Sequence, residues 1–307
     1  MNKGRDLFMR LGIVGLGDIA KKAYLPILSL KENIELVLCT RNIEVLNEIS
    51  NKYKISEYVQ TVDELIKLKV DAAIVCTTAN AHFDIVKKLI ENNINVYVDK
   101  PISFNFEETK EIARLSKRSG KVVMVGFNRR FVPMFKKLKD NGKADIIIMQ
   151  KNREYPPGDI RRFIVEDFIH VVDTLRFLMD EEIKDIKVSY KKDGNNLENV
   201  IVNFIGDNTT SIGIMNRTAG ITEEIIEYMV KGNKYIVEDL VESTEVNNSG
   251  KTKTTFGGWE TSLYKRGFND LLDHFITCVN KGINPNPSIE DSLISHEVCE
   301  EIINKIV

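Results

Sequence analysis

Several protein classes are argued against by what this chain lacks. It has four cysteines, Cys39, Cys76, Cys278 and Cys299, with no C-x-x-C pair. The first two fall in apolar strand-like runs where thiols pack as small hydrophobes, so neither a disulfide framework nor a structural zinc site is expected. Four histidines and no H-E-x-x-H give little basis for a metal centre. No sign of charge dominates: 43 Lys plus Arg stand against 45 Asp plus Glu, a formal net charge of -2. That balance removes the usual reason to expect nucleic acid or an anionic membrane as partner and points to a small molecule. No apolar stretch approaches the roughly 18 residues of a membrane span. Residues 1–10 carry charge but no apolar leader core, so a soluble, cytoplasmic protein is expected. Low-complexity tracts and solenoid repeats are also missing.

What is present starts with Gly15-Leu16-Gly17-Asp18-Ile19-Ala20, a G-x-G-x-x-A spacing that follows an apolar run at 11–14. Gly15 suits a tight turn off a strand, Gly17 allows bare backbone to approach a pyrophosphate, and Ala20 allows a helix to pack closely on the sheet. The free N–H groups and positive dipole end of that helix would face the phosphates, so Gly15, Gly17, Asp18 and Ile19 are expected to contact a dinucleotide.

At 307 residues the chain suits two domains, expected at 1–126 and 127–307. In the first, apolar runs at 11–14, 34–40, 58–60, 72–76, 95–98 and 122–125 alternate with helical segments at 62–68, 82–92 and 106–119, the pattern of a parallel sheet built from βαβ units. Pro26 should shorten or kink the first helix. Beyond Gly126, β-rich runs at 146–151, 183–190, 200–204, 209–215, 225–230 and 235–241 follow one another with few helices between them, predicting a mostly antiparallel sheet. Helices are expected at 165–179, at 268–281 and after Pro287.

The second strand ends Cys39-Thr40-Arg41-Asn42, without the carboxylate that binds a ribose 2′-hydroxyl in NAD sites. Thr40 and Arg41 would suit a 2′-phosphate, favouring NADP over NAD; the other reading of Arg41 is a solvated loop residue. The fifth strand ends Asp99-Lys100-Pro101, which either aims the Lys100 ammonium at the cofactor crevice or simply opens a loop. Thr77 to His82 follow the fourth strand at the same sheet edge; Asn80 either lines the site or caps a helix. In the second domain Glu166, His170 and Asp173 share one face at α-helical spacing, where a carboxylate can orient an imidazole. The alternative is an ordinary polar helix face.

With the glycine fingerprint, Asp99-Lys100-Pro101, Gly126-Phe127-Asn128-Arg129-Arg130-Phe131 and the His170 helix in this order, the chain resembles the glucose-fructose oxidoreductase and inositol dehydrogenase family over nearly its whole length. The resemblance implies an N-terminal Rossmann domain and a C-terminal α+β domain with a large, mostly antiparallel open sheet through which dimers or tetramers form. It also implies a cis Lys100-Pro101 bond. The activity implied is hydride transfer between a nicotinamide and a hydroxyl or carbonyl carbon of a sugar, cyclitol or similar polyol. Lys100 and His170 would then flank the substrate carbon, Thr77, Asn80, His82 and Arg129 would serve the cofactor side, and Asn128 and Asp167 the substrate. His170 is assigned to proton transfer and Lys100 to electrostatic stabilisation, with the reverse assignment open. Where many members carry Asp four residues before the histidine, this chain has Glu166, with Asp167 one position displaced. A dinucleotide-binding sensor on the same fold is the competing reading. Specificity is expected around Arg161, Phe168, Trp259 and Lys265.

Overall fold

A computed structural model of the chain describes residues 8–307, so the reading of residues 1–7 as free of a leader lies outside the described residues. The contacts divide it into two units: residues up to Gly126 together with Leu272–Leu293, and Phe127–Leu271 together with Ile294–Val307. The division departs from the expected boundary in one respect, since Leu272–Leu293 groups with the first unit. The reason is packing: Phe275 meets Tyr97 edge-on with ring centroids 5.6 Å apart, and Asp273 pairs with Lys31.

The first unit holds six parallel strands, β1 (Met9–Val14), β2 (Ile34–Cys39), β3 (Glu57–Val59), β4 (Ala72–Val75), β5 (Asn95–Val98) and β6 (Val123–Val125), in the order β3-β2-β1-β4-β5-β6. The chain winds outward from β1 in one direction and from β4 in the other, so the crevice for a ligand opens between their carboxyl ends. Helices on both faces explain why these strands are short, continuous apolar runs: Leu11, Ile13, Ala73, Ile74 and Val75 have no exposure, and each large aliphatic side chain contributes about 1.5–3 kcal/mol by leaving water. Thr61 and Glu64 form a reciprocal capping box that starts the helix Val62–Lys67, and Gly120, at φ +66°, ends the helix Phe106–Ser119. The segment after the glycine turn differs from an ordinary first helix: a π turn, Ala20–Tyr24, leads into a short α segment, Leu25–Leu28. Pro26 lies inside this continuous helical stretch, just past the π turn, where its ring and missing N–H disturb the regular ladder.

The second unit carries nine strands: β7 (Ile146–Glu154), β8 (Gly158–Asp159), β9 (Asp185–Asp193), β10 (Asn196–Ile205), β11 (Thr210–Asn216), β12 (Thr218–Val230), β13 (Asn233–Glu238), β14 (Glu242–Asn247) and β15 (Gly250–Thr255). Their order is β15-β14-β13-β12-β7-β11-β10-β8, with β9 also on β10; β7 and β11 run parallel and the other pairs antiparallel. The helix Ile169–Met179 covers one face. It approaches so closely that a Cβ on Gly213 would stand 2.8 Å from Val171 and 3.2 Å from Leu175. Beneath it lie Ile147, Met149, Met215 and Ile226, all without exposure.

Candidate active site

Gly15 has φ +92°, and a Cβ there would stand 2.8 Å from the backbone nitrogen of Thr77, so both the turn and the contact between the β1 and β4 ends require glycine. Gly17 has no heavy atom within 4 Å of where its Cβ would be, leaving bare backbone open to a ligand. These residues border a cavity of about 930 Å³, which Asp18, Ile19, Thr40, Arg41 and Thr77 also line. Asp18 is exposed and pairs with Lys22 at 2.8 Å. The loop after β2 is held short because Asn42 accepts from Glu44 N at 2.9 Å and Val45 N at 3.2 Å, which leaves Arg41 exposed at the cavity rim. Lys88, not among the expected site residues, lines the same cavity and pairs at 2.6 Å with Asp63, which lines it too. Cys39 and Cys76 are packing groups: burial pushes the Cys39 thiol up to about 12 and that of Cys76 higher still.

Other residues expected on the cofactor side have different placements. Asn80 is exposed in the turn Ala79–Ala81, makes no capping bond and is not among the residues lining the cavity. His82 is buried, its Nδ1 2.7 Å from Pro101 O and its Nε2 3.1 Å from Thr77 O. The imidazole therefore ties the loop after β4 to the bend after β5. The Lys100-Pro101 bond is cis. Before it, Asp99 accepts a 2.7 Å hydrogen bond from Tyr24, whose hydroxyl is 3.2 Å from that of Tyr97. A Cβ on Gly126 would come within 2.5 Å of the Tyr97 hydroxyl and 3.2 Å of Asp99 Oδ1, so the residue after β6 must be bare.

In the second unit a polar cluster begins where the apolar face under Ile169–Met179 gives out. His170 is buried, with Arg129 Nη1 3.3 Å from Nδ1 and 3.4 Å from Nε2. Arg129 grips Glu224 bidentately at 3.1 and 2.8 Å and donates to Asn128 Oδ1 at 3.0 Å. Burial acts to raise the Glu224 carboxyl, but Arg129 first and Lys151 next outweigh it and hold it below the usual range. Asn128 also donates to Arg266 O at 2.8 Å, fixing its amide as a strut. Asp173, expected beside His170, is used by Arg130 at 2.9 and 2.7 Å and by Ser295 at 2.8 Å.

The carboxylate pattern before His170 departs from α-helical expectation because Phe163–Phe168 is a π turn. Its i→i+5 bonding advances the phase more slowly per residue, so the spacing that would align Glu166 with His170 does not hold. Glu166 is 44% exposed and pairs with Arg162 at 3.2 Å; Asp167 is the carboxylate turned inward, where Lys151 donates to it. Lys151 is absent from the sequence-based site. It has no exposure, and burial, reinforced by Arg153 and Arg129 and opposed by Asp167, lowers its ammonium to about 7. Its signal was available: on β7 it shares the parity of Ile147 and Met149, which places a lysine on the covered face. The expected specificity residues are used differently. Arg161 is bound bidentately by Glu300 at 2.7 and 2.8 Å, Phe168 is core, Trp259 is 99% exposed, and Lys265 lies 5.5 Å over Phe256.

Comparison with known proteins agrees with this fold. A family model described as an oxidoreductase family with NAD-binding Rossmann fold matches residues 9–127, and one described as a YceM-like C-terminal domain matches 133–248. YceM of Salmonella typhimurium is 30% identical, over 96% of this chain and 97% of its own. The myo-inositol 2-dehydrogenase of Thermotoga maritima is 24% identical over 92% of each chain. A crystal structure of a Gfo/Idh/MocA family oxidoreductase from Vibrio cholerae superposes with a TM-score of 0.91 at 27% identity, covering 97% of this chain and 99% of the other. With the Rossmann unit, the mixed-sheet unit and full-length relatives in agreement, the chain belongs to the Gfo/Idh/MocA oxidoreductase family.

Proposed function

We propose that the protein is an NADP-preferring oxidoreductase that moves hydride between a nicotinamide and the hydroxyl or carbonyl carbon of a sugar, cyclitol or similar small polyol. The observation that carries this reading is the glycine cradle: Gly15 held at φ +92° against Thr77, and Gly17 with open space where a side chain would be, both on the 930 Å³ cavity. Such a cradle fits a pyrophosphate, which bare backbone can approach and side chains cannot. The name of the Thermotoga relative supports a cyclitol-like substrate. Arg41, exposed on the same cavity, supports NADP, since the end of β2 that it follows carries no carboxylate at Thr40 or Arg41.

When bound, the dinucleotide supplies the hydride acceptor or donor. Lys100 stabilises negative charge developing on the substrate oxygen, and His170 exchanges the hydroxyl proton. Arg129 Nη1 stands within 3.4 Å of both ring nitrogens of His170 and holds the imidazole in place for that exchange. Asp167, turned inward onto Lys151, is the carboxylate that this chain offers just before His170 in place of Glu166, and it supports the enzyme reading over a non-catalytic sensor. The proposal includes a cytoplasmic location, consistent with four free, buried cysteines, and a homodimer or homotetramer built on the second sheet. Among the described residues no helix is long and apolar enough to cross a membrane.

Fluorescence titration with NADPH and NADH, followed by a turnover screen over sugars, cyclitols and small aldehydes, tests the reading. NADPH should bind more tightly and at least one polyol should turn over. Tighter NADH binding would overturn the cofactor preference, and binding of neither would overturn the reading itself.

A further inference from the structure

The covered face of the second sheet changes character along β7. Ile147 and Met149 are apolar, and the next two residues of the same parity are Lys151 and Arg153. Glu224 lies directly across from Lys151 in the β12 ladder, and Arg217 follows the end of β11. Asp167, just before the helix that covers this face, is shared by three cations: Lys151 donates to it, Arg217 Nη2 stands at 3.6 Å and Arg153 Nε at 4.0 Å. Arg129 is matched by Glu224 at 2.8 Å. Glu198, whose carbonyl accepts from Arg217 N, sends its carboxylate to Lys191 at 2.6 Å, and Glu223 accepts from Asn152 at 2.8 Å. Three arginines, Arg129, Arg153 and Arg217, together with Lys151, whose ammonium is lowered to about 7, thus stand against two carboxylates, Asp167 and Glu224, in a cluster continuous with His170 through Arg129.

Arg217 is held as if to receive something. Its guanidinium lies 4.5 Å over the Phe163 ring, which fixes its plane, and its Nε is buried without a hydrogen-bond partner. A buried, unpaired guanidinium N–H is costly, and a forked oxyanion is the group whose geometry matches it. Arg153, with only the 4.0 Å pair and 23% side-chain exposure, has donors to spare.

We infer that the substrate carries an oxyanion, a carboxylate or a phosphate, on its polyol frame, and that Arg217 and Arg153 bind it. The inference rests on the proposed function and narrows its substrate class. The excess positive charge has a further trace, since Arg153 and Arg129 reinforce burial in lowering the Lys151 ammonium. Arg217 and Arg153 are specificity residues: they hold the charged end while His170 works on the carbon.

The test is calorimetric binding to the full chain, with and without saturating NADPH, of D-gluconate and D-glucuronate for the carboxylate, glucose 6-phosphate for the phosphate, and D-glucose and myo-inositol as neutral controls. At least one anion should bind about 10-fold or more tightly than the neutral compounds, and Arg217→Met should remove that preference, as expected for one or two charge-assisted hydrogen bonds. Arg153→Gln, at a part-exposed position, serves where Arg217→Met does not fold. Gly158→Ala adds a second check, because its Cβ would stand 2.3 Å from Arg217 Nη1 and displace the guanidinium without removing charge. Neutral compounds binding as well as the anions, no anion binding, or variants that keep the preference would each overturn the inference. Failure of NADPH to bind would sink the proposed function separately, since the anion arms are read without dinucleotide as well.

Discussion

Tyr24 donates to Asp99 at 2.7 Å, and this one bond joins the turn of helix that follows the glycine cradle to the strand end that carries Lys100. Burial, then Asp99 and Tyr97, push the Tyr24 phenol well above its usual range, so it remains a donor throughout the working pH range. The glycine turn and the strand end that carries Lys100 are thereby fixed to each other through a fully buried side chain.

Tyr24→Phe should therefore cost about 1.5–3 kcal/mol, the worth of a hydrogen bond to a charged group. Urea unfolding should give a lower midpoint at unchanged slope, with kcat falling alongside it. Asp99→Asn, which keeps an acceptor for Tyr24, should cost less. A Tyr24→Phe midpoint equal to wild type would show that the bond holds nothing in place.

Arg41→Ala should weaken NADPH about 10- to 100-fold and leave NADH within about twofold, because only the 2′-phosphate is expected to meet the guanidinium. Fluorescence titration reads both constants. Equal weakening of the two dinucleotides would make Arg41 a general phosphate contact and end the argument for NADP.

Lys100→Met and His170→Ala should each lower kcat about 100- to 10,000-fold, the range for losing a positioned proton-transfer or charge-stabilising group. Dinucleotide affinity should change little in both, since neither residue lines the cradle cavity. Unchanged turnover in either variant would remove that residue from the chemistry.

Lys151 predicts a pH dependence of stability with a definite sign. In the unfolded chain it holds its proton up to the ordinary lysine range, but in the fold only up to about 7. Between those values the unfolded state binds more protons, so the residue's stabilising contribution is full above the ordinary lysine range and is lost as pH falls toward about 7. The slope approaches about 1.4 kcal/mol per pH unit at most. Urea unfolding at pH 7, 8 and 9 should show wild type gaining on Lys151→Gln as pH rises. A difference that stays flat would refute the assignment.

How much of this was legible in the sequence varies by element. Strands buried on both faces announce themselves as short apolar runs, which is why β1, β2, β4 and β5 stand close to where the pattern put them, and Gly120 marked the end of its helix. The hairpin of β14 and β15 was missed because Glu242–Asn247 and Gly250–Thr255 are polar on both sides and half-buried or exposed throughout. Their threonines and the Asn247-Asn248-Ser249-Gly250 turn were the available signal. For the site, Gly15, Gly17 and Arg41 could be located by spacing from a strand end. Glu166 and Asp167 could not be told apart, since the π turn that decides between them comes from packing rather than local pattern. Lys151 went unread because a lysine closing an apolar strand looks like the start of a loop until its parity is counted.

The return of Phe275 to Tyr97 bears on how the chain can be cut. A fragment ending at Gly126 would hold every strand of the first sheet and both glycines of the cradle, yet would strip one aromatic neighbour from the Tyr24–Tyr97 pair. On the ribosome the first unit must likewise wait for Leu272–Leu293, about nine-tenths of the way along the chain, before its packing is complete. A fragment ending at Gly126 is then not a transplantable module, and supplying Leu272–Leu293 in trans should be the condition for it to fold.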